Sequence, residues 1–507
     1  MYLCQGSRNK IDIFLHSRRI EQVTSFKFLG RHISASLAVS EHYNEVIKRS
    51  HRNSNLFKCL TSIKAGLHPQ VSLNYYKSLV RSKIEYCRSS TAHCSATVNN
   101  KIRTFQNSFL RRCLGATPAT PIPLLYAIAN ELPPADRAKW LTAKELINTF
   151  KIDEDFRISL DRYPNVKSSY GYIFREFKHI FDRLEVIDAP IFSPNLTIVT
   201  KSFNEKKQNI APEQAQAIYS QLLQEYEQSN FKIFYTDASV GANSTGCGIY
   251  NHTTKSEHGF RLPFKSSSSF GELNAIKKAL ELAAQGQYSK IAIFTDSLTA
   301  CQLLLKVRTD NYCVLEIHKL IQQGDFNRVT IIWTPSHKGI LGNEKADRIA
   351  KDAIISEHTL DVKLSVAEAL NTIKNQIREG WLEGFKAFSM EKPNLFSKVF
   401  TCRKRRTWFY KCPLAPKTIK TLNRILSGFT YDTAYLYKIK AIAYNTCRCG
   451  EIDSYIHQTF HCRLLNDTRV NFEIFQNNTD FHDLFRDMNF CKITQLADFL
   501  QKVEAKF

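Results

Sequence analysis

No run of about 18 uncharged apolar residues occurs in the chain, and the opening "MYLCQGSRNKIDIF" has no apolar core of the kind a signal peptide needs. These absences argue against a membrane partner and lead us to expect a soluble, intracellular protein of the nucleus or cytoplasm. Acidic charge is also scarce: 47 Asp and Glu stand against 70 Lys and Arg, a net charge of +23. A polyanionic partner is therefore expected, nucleic acid being the commonest. A disulfide framework is missing as well. The 14 Cys are scattered, and Cys59, Cys247 and Cys301 sit inside apolar periodic segments, where reduced Cys behaves as a small core residue.

What remains is ordinary for folded proteins. The 507 residues are 43% hydrophobic and 12% aromatic, enough for about two to four domains with real cores. The first 120 residues hold nineteen Lys/Arg against five Asp/Glu, a local net of +14, and form a candidate nucleic-acid surface. Short strand-like pieces, "IDIFL" and "SFKFLG", precede helical patterns that break and restart at the prolines of "TPATPIPLLYAIANELPPADRAKWL". The polar stretch at 200–216 reads as a linker or an exposed helix start, which places a boundary near 225. From 231 to 354 strand signals come first, then helices and strands alternate, describing a mixed α/β domain. After about 360 the pattern is mainly helical again, broken by the basic run "CRKRRTWFYK" and ending in a Cys/His cluster.

Four carboxylates in the α/β region occupy positions a fold could bring together. Asp237 ends the apolar run "IFYTD" and Asp296 ends "KIAIFTD"; Glu272 lies in the first turn of a helix with Leu273, Ile276 and Leu280 at helical spacing; Asp347 follows the loop that carries His337. Two Asp at the ends of neighbouring strands, completed by helical carboxylates, make a hard-oxygen cage for Mg²⁺. Such a cage suits phosphodiester hydrolysis, in which two metals about 4 Å apart activate a water and stabilise the leaving oxygen. Blander readings stand beside this one. Glu272, three residues after Ser269, fits a capping box. Asp296 could cap the helix starting at "SLTA", Asp347 could be a solvated residue beside Lys345 and Arg348, and His337 could be a loop hydrogen-bonder.

"FYTDAS", "GELNAI", "FTDS" and "WTPSHKGILGNEKADRIA", in that order, resemble the four motifs of the ribonuclease H family. The closing "SHKGILGNEKAD" is the most specific of them. The resemblance implies an α/β, ribonuclease H-like mixed sheet of five strands, near 232–236, 246–251, 257–262, 291–295 and 329–333, with flanking helices. It also implies Mg²⁺-dependent cleavage of the RNA strand of RNA/DNA hybrids. By matched position Asp237, Glu272, Asp296 and Asp347 would hold two Mg²⁺, and His337 would move a proton or release product. "DAS" stands where "DGS" is common. A transposase or integrase on the same fold lacks the closing motif.

"IEQVTSFKFLGRHISASLAVSEHYNEVIKRS" resembles the palm end and thumb of reverse transcriptases of LINE-type retrotransposons, whose basic helices would grip a template-primer duplex. No "YADD"-like motif occurs, so no polymerase activity is expected of this chain. The C-terminal "CRCGEIDSYIHQTFHC" offers Cys447, Cys449, His457 and Cys462 as a tetrahedral N/S set for structural Zn²⁺, with His461 as a competing ligand and buried, metal-free Cys and His as the alternative. The C-x-C pair is tighter than usual, yet the string resembles the Cys-Cys-His-Cys motif that follows the ribonuclease H domain of several LINE-type elements. The upstream "RKRR" is a phosphate-binding or localisation patch, or equally a solvated face. The expected organisation is a thumb-like basic region at 1–150, a helical connection at 151–225, a ribonuclease H domain at 226–356, and a mainly helical region with a zinc motif at 357–507. The resemblances lead us to expect the C-terminal part of a LINE-type retrotransposon polyprotein, active as a hybrid endoribonuclease or surviving as a catalytically silent nucleic-acid-binding remnant.

Overall fold

The computed structural model describes residues 12–506 apart from 22, 36–37, 52–53, 63–65, 92–93, 164–167, 201–210, 401–405, 477–479 and 487–489. The basic run at 403–405 and most of the 200–216 stretch lie outside the described residues. Contacts divide the chain into two units, one of residues 143–167 and 171–376 and the other of 1–142, 168–170 and 377–507. Among the described residues no helix is long and apolar enough to cross a membrane.

The first unit is built on a six-stranded mixed sheet. Its strands are β1 (Leu196–Val199), β2 (Lys232–Val240), β3 (Thr245–Asn251), β4 (Ser256–Leu262), β5 (Lys290–Thr295) and β6 (Arg328–Trp333), in the order β1-β6-β5-β2-β3-β4. β2, β3 and β4 form an antiparallel meander, whereas β1, β6, β5 and β2 run parallel. The five expected strands are present, and β1 adds a sixth on the outer edge of β6. "LTIV" is too short to stand out as a strand by periodicity, and pairing with β6 is what makes it one.

Helix α1 (Pro212–Gln228) starts with Pro at its first turn, as fixed φ allows. It joins one face of the sheet, where Tyr219 packs in a cluster with Ile233, Tyr235, Phe294 and Ile332. Helix α2 (Ser268–Gln285) lies against β2 and β3, beside α4 (Tyr312–Gln323); α3 (Leu298–Leu304) follows β5 and α5 (Leu341–Ala353) follows β6. Leu273, Ile276 and Leu280 of α2 are fully buried, the helical stripe read from the sequence.

The second unit is mainly helical. "SFKFLG" supplies one strand of a hairpin, Ser25–Phe28 paired with Arg31–Ser34, and its turn residues Leu29 and Gly30 both take positive φ (44° and 85°), as a two-residue hairpin turn demands. Behind it come helices Val39–His51, Pro69–Tyr76 and Ala96–Leu114, the last closed by Gly115 in the left-handed conformation. Residues from both ends of the chain share one core, with Leu73, Phe109 and Leu125 in the same cluster as Phe409, Leu422, Phe485 and Phe499. Lys420, fully buried on helix Pro416–Ser427, donates to the carbonyls of Thr61 (3.0 Å) and Ser62 (2.9 Å), so even its buried charge has partners.

Candidate active site

Strand register explains why two aspartates meet. Thr236 of β2 pairs with Thr295 of β5, and Asp237 and Asp296 are the next residues on these parallel neighbours. Their side chains are therefore one strand spacing apart, about 4.8 Å. Asp296 directly follows the end of β5, whereas β2 does not stop near 236 as expected but runs on through Asp237 to Val240 because β3 pairs with it there. Asp237, Glu272 and Asp296 each present an oxygen within 4.8 Å of the others.

The third carboxylate comes from α2. The amide of Ala238 donates to Glu272 Oε1 at 2.9 Å and the hydroxyl of Thr295 donates to Oε2 at 3.2 Å, so Glu272 is anchored to both aspartate-bearing strands. The capping reading of Glu272 does not hold: Ser267, not Ser269, caps α2, accepting from Phe270 N at 3.2 Å, and Glu272 points into the buried site. Asp296 is likewise not the cap of α3, because Ser297 fills that role by accepting from Ala300 N. Ala238 fits where glycine is commoner because its methyl fills the space opposite Gly271, where an added Cβ would come within 2.7 Å.

Glycine matters at a second place. Gly246 and Gly248 of β3 face α5 so closely that a Cβ at Gly248 would lie 2.2 Å from the carbonyl oxygen of Ala346. Gly248 is also the sheet partner of Asp237. The "TGCGIY" glycines therefore let α5 settle on the sheet beside Asp237 and bring Asp347 near enough to act on its charge. Asp347 stays outside the three-oxygen cluster, half-buried and ion-paired with Lys351 at 2.6 Å. Lys351 is the partner that the sequence reading passed over, although its i,i+4 spacing was visible.

Three acids so close distort each other's protonation. Burial first, and the charge of Asp237 second, hold Glu272 well above the usual carboxylate range. Burial pushes Asp237 up to about 7; a hydrogen bond from Glu272 opposes this, and the charges of Asp296 and Asp347 add to it. A site that disfavours its own ionised state is poised for a cation. His337 sits on the loop before α5, exposed, with φ of 58°. Gln216 of α1 donates to the neighbouring Lys338 carbonyl at 3.3 Å, and Tyr219 donates to the Trp333 carbonyl at 2.5 Å, so α1 braces the start of this loop.

In the helical unit, Cys447, Cys449, His457 and Cys462 are all buried, and one ligand atom of each lies within 4.8 Å of the rest. Cys447 Sγ and Cys462 Sγ are 3.8 Å apart, and Cys449 Sγ is 3.1 Å from His457 Nε2. Two thiolates at about 2.3 Å from a tetrahedral Zn²⁺ stand about 3.8 Å apart, so this donor set fits that ion. A tight turn with Gly450 at φ 96° brings the first pair together, with Gly450 N donating to the Cys447 carbonyl at 2.9 Å. His461 is not a competitor: it is exposed and outside the cluster.

The family model described as RNase H matches residues 229–355. Among curated proteins the chain is similar to ribonuclease H1 of Homo sapiens, 28% identical over 144 residues that cover 24% of this chain and 50% of the human protein. It is also similar to ribonuclease H1 of Mus musculus, 26% identical over 146 residues that cover 24% of this chain and 49% of the mouse protein. The chain thus spans about half the length of the curated relatives it matches. Residues 229–355 are a ribonuclease H domain, set within the mixed α/β unit.

Proposed function

We propose that this domain is a metal-dependent endoribonuclease that hydrolyses the RNA strand of RNA/DNA hybrids. The observation that carries the reading is the convergence of Asp237, Glu272 and Asp296 within 4.8 Å of one another beside the end of β5. Clustered carboxylate oxygens are the donors Mg²⁺ prefers. Asp237, Glu272 and Asp296 would hold Mg²⁺, with Asp347 completing the set from α5; bound there, two such ions supply an activated water and stabilise the leaving oxygen. The chain's own residues do the positioning. Ala238 N–H and Thr295 Oγ1 orient the Glu272 carboxylate, and exposed His337 exchanges a proton with the departing strand from its loop.

Hybrid recognition rests on RNA 2′-hydroxyls, and the basic first 120 residues supply phosphate contacts to a template-primer duplex. We read the whole as derived from a LINE-type retrotransposon, on the strength of the flanking motifs. In the helical unit Cys447, Cys449, His457 and Cys462 would hold one structural Zn²⁺.

The deciding experiment is cleavage of a labelled RNA/DNA hybrid with Mg²⁺, wild type beside Asp237→Asn, with single- and double-stranded RNA controls. Hybrid-specific cleavage that Asp237→Asn abolishes is expected. Folded wild type that binds hybrid and cuts nothing would overturn the enzyme reading in favour of a silent binding protein.

A further inference from the structure

The N-terminus of α2 is closed by a carboxylate from 101 positions further along the chain. Glu368, only 6% exposed, accepts from the Ser267 amide through Oε1 at 2.8 Å and from the Ser267 hydroxyl through Oε2 at 2.7 Å. Ser267 is the residue that caps α2, and Glu272 lies just over one turn beyond it. On its other side the helix start is pinned to the sheet: Ser266 N donates to Thr245 Oγ1 at 3.0 Å, and Gly271 leaves no room against Ala238.

The segment that delivers Glu368 follows the matched residues 229–355 and is itself fastened at two points. Beside β4, Arg261 N donates to the His358 carbonyl at 2.8 Å and Leu360 N donates to the Arg261 carbonyl at 2.9 Å. Further along, Leu364 N donates to the Arg183 carbonyl at 2.7 Å, Glu185 N donates to the Leu364 carbonyl at 3.0 Å, and Leu364 is fully buried. Glu368 N then donates to Ser365 Oγ at 3.3 Å, which fixes the carboxylate's own backbone. A buried carboxylate bonded twice to one residue at a helix start, on a strap tied at both ends, resists sliding of α2 along its axis. Such a slide would draw Glu272 off Ala238 N and Thr295 Oγ1.

We propose that Glu368 is a positioning residue for the nuclease site: by clamping Ser267 it sets the height of α2 and so keeps the Glu272 carboxylate in register with Asp237 and Asp296. The proposal rests on the metal-dependent reading above and extends the working nuclease past residue 355 to the strap at 357–368. Glu368 touches neither substrate nor metal, so its loss acts on the metal site and on turnover, and leaves hybrid binding alone.

The test uses the full chain. Mn²⁺ binding is titrated by calorimetry, with Asp237→Asn as the blank for binding elsewhere, and hybrid cleavage is followed beside it in Glu368→Ala, Glu368→Asp and Glu368→Gln. For Ala and Asp the expected result is Mn²⁺ binding weakened about tenfold and kcat lowered about 10- to 100-fold, the range for losing a second layer of support, with KM for hybrid within about twofold. Glu368→Gln retains an acceptor for the Ser267 amide and recovers most of both. If Glu368→Ala does not fold, Glu368→Asp, which keeps the charge and shortens its reach, decides alone. Wild-type Mn²⁺ affinity and kcat in folded Asp or Ala variants would overturn the proposal, as would a rise in KM at unchanged kcat. If wild type binds Mn²⁺ yet leaves hybrid uncut, the nuclease reading fails while the Mn²⁺ comparison still decides the role of Glu368.

Discussion

Cys447, Cys449, His457 and Cys462 come from sixteen consecutive residues, whereas Asp237, Glu272, Asp296 and Asp347 come from a strand, the residue that follows a second strand, and two helices, spread over 111 positions. The first group is gathered by a turn and one short helix. The second is gathered by the register of a sheet, which exists whether or not an ion is present. Their chemistry differs in the same direction. Asp237 and Glu272 are held above the usual carboxylate range by burial and by the nearby acids, while three thiols and an imidazole carry no such repulsion in their neutral forms. Where donors are local, an ion would complete the fold; where they are distant, the fold prepares the place and an ion would relieve its crowding.

Removing one proposed ligand from each cluster separates the two cases most sharply, and the largest effect is expected at the local cluster. Cys462→Ser should abolish binding of one equivalent of Zn²⁺, measured by atomic emission. It should also destabilise the helical unit by more than about 4 kcal/mol, as loss of a metal site can. With about 2.1 cal/mol/K of unfolding entropy per residue over the whole helical unit, that is a fall of about 7 °C or more in its melting transition. An unchanged transition would mean that no ion held through Cys462 supports this segment. Asp296→Asn should do the reverse: hybrid cleavage drops about 10²- to 10³-fold, the cost of losing one preorganised charged group, while the melting point holds or rises because one like charge has gone. A lower melting point would show that the acids support one another, contrary to the crowding described above.

The next effect is smaller and concerns pH. Glu272 and Asp237 bind protons more tightly in the folded protein than in the unfolded chain, where carboxylates titrate near pH 4. The folded state therefore holds more protons across the interval above that pH. The stability these groups contribute is complete below about pH 4 and is lost as pH rises through about 7, where Asp237 titrates. Scanning calorimetry in EDTA should show the α/β unit melting progressively lower from pH 5 to pH 8. Mg²⁺ should make that slope shallower, and so should Asp237→Asn. A slope that Mg²⁺ leaves unchanged would place the titrating groups elsewhere.

The same contrast governs what could be read from the sequence. Asp296 was legible because an apolar run that stops at an acid marks a strand end, and "KIAIFT" does end there. "IFYTD" misled in this respect, since pairing with β3 carries β2 through Asp237 to Val240, and parallel pairing of β2 with β5 is what brings the two acids together. The competing reading of Glu272 as a cap failed because Ser267 lies in the correct place and Ser269 does not. Strand β1 and the clamp from Glu368 were not legible. Neither "LTIV" nor an acid near the start of a long helical pattern declares its partner, since each is defined by a contact more than a hundred positions away. The shared core of the helical unit was hidden for the same reason: Leu73 and Phe499 bury an apolar face as any helix residue would, and nothing local says against what.

Asp347 belongs to neither plan completely, and the smallest prediction turns on it. It is bonded to Lys351 one turn along α5, an ion pair whose lysine is 59% exposed, which is what a solvated helix residue would show. Its charge also adds a little to the upward shift that burial imposes on Asp237, so it lies within electrostatic reach of the site. If Asp347 serves the metal site, Lys351 competes with the cation for the same oxygens, and Lys351→Ala should lower the Mg²⁺ concentration giving half-maximal cleavage by about twofold, the scale of an exposed ion pair. The melting point should not move, because such a pair adds little to stability. High salt should shrink the difference between Lys351→Ala and wild type, since it screens the lysine in the latter. An Mg²⁺ requirement identical in both proteins at low salt would leave Asp347 a surface residue and the site a cluster of three acids, with the ion held by the sheet ends and α2 alone.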